Sequence, residues 1–119
     1  MDRVRFITHE GKQVLFIDMT GLQDPECALI MEQVKKVVTA QAKDSVLTLT
    51  DWNNANPGRA ALTRMKEVAV YDRPYVKRAA FINGDNLPKV HQQHLELFSQ
   101  RTFATLPTKE EALDWLVAE

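Results

Sequence analysis

Few side chains in this sequence have the type and spacing that chemistry needs. Carboxylates stand in three polar stretches: Asp18-Met19-Thr20-Gly21, Thr50-Asp51-Trp52-Asn53 and Asn83-Gly84-Asp85-Asn86. Oxygen ligands of this kind suit Mg²⁺, and Asp51 at a strand end could accept a phosphoryl group. The plainer reading has Asp85 and Asn86 capping a helix and Asp51 fixing its own loop. His91 and His94 are one helical turn apart, but zinc asks for further ligands, and His9 is distant in sequence. Cys27 would need a lowered pKa and a base to act as a nucleophile. It falls on an apolar helix stripe, which favours a buried structural role. Trp52, flanked by polar residues, anchors a partner, lines an apolar pocket, or folds back over the edge of the core. Lys77 and Arg78 are strand neighbours and point to opposite faces, so one reaches solvent and the other can support a rim carboxylate. No Gly-rich phosphate loop, Gly-x-Ser-x-Gly elbow or His-Glu-x-x-His motif occurs.

The elements that must position these residues follow from periodicity. Residues 4–9 and 13–18 are β-rich runs around Glu10-Gly11-Lys12, which predicts an antiparallel hairpin. Asp24-Pro25 signals a helix start, with Asp24 as the cap. Cys27, Ile30, Met31, Val34 and Val38 then form one apolar stripe, and the helix is expected to run to about Ala42. Residues 45–50 read as a buried strand that ends in the polar loop from Asp51 to Asn56. Pro57 opens a second helix whose stripe is Ala61, Leu62, Met65, Val68 and Ala69. It stops near Asp72, because Pro74 disfavours helical geometry before it. A strand follows over 75–82, then a third helix carrying Leu87, Val90, His94, Leu95 and Phe98. A short strand over 102–106 precedes a fourth helix, started by a Thr108/Glu111 capping box, with Ala112, Leu113, Trp115 and Leu116 on its buried face.

The order β-β-α-β-α-β-α-β-α predicts an α/β fold: a mixed, mostly parallel sheet with an N-terminal hairpin and about four helices. Ligands of such sheets bind beyond the carboxyl ends of the parallel strands, so the three carboxylate stretches should share one rim. At 119 residues the chain is read as a single domain over 1–119. Its 15 basic and 16 acidic residues give a net charge of −1, without the basic excess of a nucleic-acid binder. One cysteine excludes an internal disulfide. The charged N-terminus lacks a signal-peptide core and no apolar run has membrane-spanning length, so a cytoplasmic protein without integral membrane association is expected.

Three stretches carry a family resemblance: Leu47-Thr48-Leu49-Thr50-Asp51, Pro74-Tyr75-Val76-Lys77-Arg78-Ala79-Ala80, and Arg101 to Leu106 with Thr108 to Leu116. With the hairpin, the chain resembles the SpoIIAA-like family, bacterial proteins with a STAS-like (anti-sigma-factor-antagonist-like) fold. That fold also resembles lipid-binding domains of the CRAL-TRIO type. The resemblance covers essentially the whole chain, and its motifs are mainly structural. It implies a non-enzymatic binding or regulatory domain that docks a protein. True STAS antagonists carry a phosphorylatable Ser where the third strand meets its helix. Here that region reads Asp51 to Gly58 with no Ser, Thr or Tyr, so a phosphate-driven switch does not carry over.

The expected partner- or ligand-binding residues are Asp51, Trp52, Asn53, Asn54, Asn56, Arg59, Thr63, Tyr75, Asn83 and Asn86, with Arg64 beside Thr63. No catalytic residue, metal or cofactor is assigned. The second reading is a carrier or sensor of a small apolar or lipid-like ligand held near Trp52, Tyr71 and Tyr75. The third is a phosphoacceptor or metal-dependent enzyme using Asp51. A homodimer is compatible with all three.

Overall fold

A computed structural model describes residues 2–84, 93, 96 and 103–118. Its elements are β1 (Val4–His9), β2 (Lys12–Asp18), α1 (Asp24–Val38), β3 (Val46–Asp51), α2 (Arg59–Asp72), β4 (Val76–Ile82), β5 (Ala104–Leu106) and α3 (Lys109–Val117). The five strands form one sheet in the order β1-β2-β3-β4-β5. β1 pairs antiparallel with β2, and the remaining pairs are parallel. Each strand therefore lies beside its predecessor in the chain. The expected mixed α/β sheet with one antiparallel edge is present. Of the expected helix around 87–98 only Gln93 and Glu96 are described, both helical, and Asp85, Asn86, His91 and His94 lie outside the described residues.

The hairpin turns on Glu10 and Gly11, both at positive φ (51° and 79°). A two-residue loop with both φ positive matches the right-handed twist of the flanking strands. Period two then sorts the sheet's side chains. Leu15, Ile17, Val46, Ala79 and Phe81 face α1 and α2, where Met31, Val34, Leu62 and Met65 bury against them. Val14, Phe16, Leu47, Leu49, Ala80 and Ile82 face the other way and are covered by Ala112, Leu113, Leu116 and Val117 of α3. The apolar stripes expected for the first two helices are the buried ones, with Ile30 only half-buried.

Several local expectations change. α1 ends at Val38, not Ala42, because the chain leaves the helix at Thr39, whose hydroxyl donates back to the Lys35 carbonyl (2.7 Å). The cap of α1 is Gln23, and the Glu26 carboxylate accepts the Gln23 N–H at 3.1 Å. Asp24 is already the first helical residue, so its side chain is free to act elsewhere. α2 begins at Arg59, two residues after Pro57, with Gly58 as its cap. Trp115 is 38% exposed rather than buried. The Arg78 guanidinium lies 5.6 Å from its ring centroid and donates to the carbonyls of Trp115 (2.9 Å) and Ala118 (2.6 Å). Arg78 thus serves the C-terminal end of α3, where cations are favoured, and not a rim carboxylate. Among the described residues, no helix is long and apolar enough to cross a membrane.

Candidate functional site

The carboxyl ends of β2, β3 and β4 meet at one rim, because parallel pairing sets Asp18 beside Asp51 and Asp51 beside Ile82. The segments beyond those ends are tied together. The Met19 N–H donates to the Asp51 carbonyl (2.9 Å), Gly21 to Asn53 (2.9 Å) and Trp52 to Ile82 (3.1 Å). Asn56 donates to the Leu22 carbonyl at 2.8 Å.

Asp18 and Asp51 form matching turns. The Asp18 Oδ1 accepts the Thr20 N–H (2.9 Å), and the Asp51 Oδ1 accepts the Asn53 N–H (3.0 Å) and the Asn83 amide (2.9 Å). Both follow the i→i+2 pattern by which Asp fixes a turn. Partial burial pulls the Asp18 pKa upward, but the Thr20 hydroxyl and N–H, with Arg3 and Arg5, outweigh it and hold its carboxyl below its ordinary value. The two rim carboxylates are thus engaged in shaping backbone.

Asn53, Asn54, Asn56 and Asn83 are exposed at this rim. Asn54 and Asn83 both adopt φ near 55°, a region Asn tolerates better than most residues. Arg59 and Thr63 are exposed on the first turns of α2, and Arg64 bridges Glu32 of α1 (3.0 Å) and Glu67 (3.1 Å). Tyr75 is not part of this group. It immediately precedes β4, at the opposite end of the sheet, where its carbonyl accepts the Ser45 and Val46 N–H groups (3.0 Å each). Asn86 lies outside the described residues.

Trp52 is 1% exposed, so the surface-anchor reading is overturned. It continues the inward row of β3 (Thr48, Thr50, Trp52), and its ring meets Phe81 edge-on at 5.6 Å; Phe81 in turn stacks on Phe103 at 4.9 Å. Beneath α1 and α2 this row borders a cavity of about 50 Å³, lined also by Met31, Met65 and Asp72. Thr48, Thr50 and Asp72 are buried polar residues. The Trp52 Nε1–H is buried and has no acceptor among the described residues. Leaving such a donor unsatisfied costs about 1–3 kcal/mol. The sequence signal for this row was the period-two spacing of two threonines and a tryptophan; nothing local pointed to Asp72.

Cys27 is fully buried, and its thiol lies 3.8 Å from the Leu22 carbonyl. Burial, with Asp24 and Glu26 nearby, pushes its pKa up to about 11. A thiol so disposed is protonated at neutral pH, the reverse of what a nucleophile needs.

A group missed in the sequence sits where the hairpin turn meets α3. His9, Glu10 and Asp114 each offer a ligand atom within 4.8 Å of the others, and His9 Nε2 is 2.8 Å from Asp114 Oδ1. A separation of 105 positions leaves no local signal for such a contact. Structural zinc takes four ligands; this trio supplies three, and Glu10 and Asp114 are exposed.

Comparison with protein-family models, curated proteins and solved structures finds no match to this chain.

Proposed function

We propose that this chain is a non-catalytic, cytoplasmic binding domain of the STAS-like, SpoIIAA-like type, which docks a protein partner on the rim loop and the first turns of α2. The observation that carries this reading is the fixation of loop 52–58. Its N–H groups are held by Ile82, Asp51, Leu22 and Asp24, while Asn53, Asn54 and Asn56 stay exposed. A loop already held in one shape loses little freedom on binding, which favours affinity. Asparagine amides offer donors and acceptors together, and Arg59 adds a cation beside them.

Site-specific photo-crosslinking in cells tests it. A benzoylphenylalanine at Asn54 or Thr63 should yield one discrete crosslinked product, absent when the probe replaces exposed Lys43 and weakened by Arg59→Glu. Equal products from all three positions, or none from Asn54 and Thr63, count against the surface.

A second reading, a domain that houses a small ligand, is favoured by one observation: the cavity beneath α1 and α2 with the Trp52 indole on its wall.

A further inference from the structure

We infer that the cavity beneath α1 and α2 takes a compact, largely apolar molecule bearing one hydrogen-bond acceptor, such as a carbonyl or ether oxygen. The inference rests on the small-ligand reading and adds the chemical class. Most of the lining is apolar, including Ile17, Met31, Met65 and Phe81. Small-molecule sites share this pattern of apolar walls with a few placed polar groups. The space of about 50 Å³ exceeds the roughly 10–15 Å³ that one water needs, and it excludes a long acyl chain. The selecting group is the Trp52 Nε1–H, buried at the wall with no acceptor among the described residues. An indole nitrogen donates and cannot accept, so the complementary ligand atom is an acceptor. Thr48 and Thr50 supply hydroxyls along the same wall, set in the row by register with Ala79 and Phe81. The cavity shares Trp52 with the rim loop but lies inside the core, away from the loop's exposed Asn53, Asn54 and Asn56.

The test uses ¹⁵N-labelled full chain titrated with cyclopentanone and, separately, with cyclopentane, which has the same ring and no acceptor. The readout is the Trp52 indole N–H resonance, with exposed Trp115 as internal control. The expected result is a saturable downfield shift of the Trp52 indole proton with cyclopentanone, which accepts from it, and no downfield shift with cyclopentane, while Trp115 stays unmoved. Trp52→Phe, which keeps an apolar ring and removes the donor, should weaken cyclopentanone about tenfold and cyclopentane by no more than about twofold. Ala69→Leu, which fills the cavity from α2, should abolish binding of both probes. Saturable binding of both probes with the same displacement of the Trp52 indole proton in the wild-type chain overturns the acceptor assignment and leaves the small-ligand reading standing. No saturable shift with either probe, or undiminished binding by Ala69→Leu, overturns both. The comparison of probes on the wild-type chain stands even if a variant fails to fold.

Discussion

The Asp24 carboxylate caps a helix that is not its own: its Oδ1 lies 2.7 Å from the backbone nitrogen of Ala61, in the first turn of α2. The same oxygen accepts the Gly58 N–H at 2.9 Å. α2 has no side-chain cap from Gly58 and no acidic residue in its first turn, so Asp24 supplies both the acceptor and the negative charge that a helix N-terminus favours. The approach is close enough that a Cβ on Gly58 would stand 3.0 Å from the Asp24 Cγ. Asp24→Ala is expected to cost about 1–3 kcal/mol in urea unfolding. Gly58→Ala should also destabilise, and by less when Asp24 is already Ala. Additive costs in the double mutant would refute the clamp, since residues in direct contact couple.

Trp52→Ala should lower stability by about 3–5 kcal/mol, as large-to-small changes in a packed core do. The loss removes the edge-on contact with Phe81 and enlarges the adjoining cavity. Thermal unfolding followed by circular dichroism checks it. A cost below about 1 kcal/mol, the usual range for a surface change, would contradict the burial.

Asp18 gives the fold an acid-sensitive contribution. Its folded pKa lies below the ordinary 3.8, so folding favours the carboxylate. The resulting stability is fully present above the unfolded value and drains away as pH falls through the folded one. Wild type should therefore lose part of its advantage over Asp18→Asn as urea melts are run from pH 6 down to pH 3. A gap between the two that does not change with pH would show that Asp18 is not the group responsible.

Cys27 should resist thiol reagents in the native state. Its pKa near 11 leaves almost no thiolate at pH 8, and the side chain is fully buried. Labelling by a chromogenic disulfide should follow the unfolded fraction as urea rises. Rapid labelling of the native protein at pH 8 would mean an accessible thiolate.

Much of the frame was readable because it rests on local periodicity. The stripe Cys27, Met31, Val34, Val38 and the alternation in β2 to β4 each report one buried face, and Pro74 marks the end of α2. Misreadings cluster where a side chain serves a distant element. Asp24-Pro25 looks like a local cap, and only tertiary packing turns Asp24 toward Gly58 and Ala61. Trp52, left open between surface and core by its polar neighbours, is carried inward by the strand's period of two after Thr48 and Thr50. Arg78 and Trp115 are separated by 37 positions, and their pairing leaves no trace in either neighbourhood. In the candidate site, the rim was legible from strand direction alone. The cavity was not, because its walls come from β2, β3, β4, α1 and α2 together.

The strand order has a consequence for how the protein is made. A nascent chain leaving the ribosome N-terminus first can seat every strand against a finished neighbour. Nothing synthesised late must be threaded between strands already joined, and the exposed growing edge is always the next docking place. Each new parallel pair still joins residues 24 to 33 positions apart, such as Ala80 with Ala104 and Leu15 with Thr48, so the wait for the intervening helix to be made and docked sets the pace.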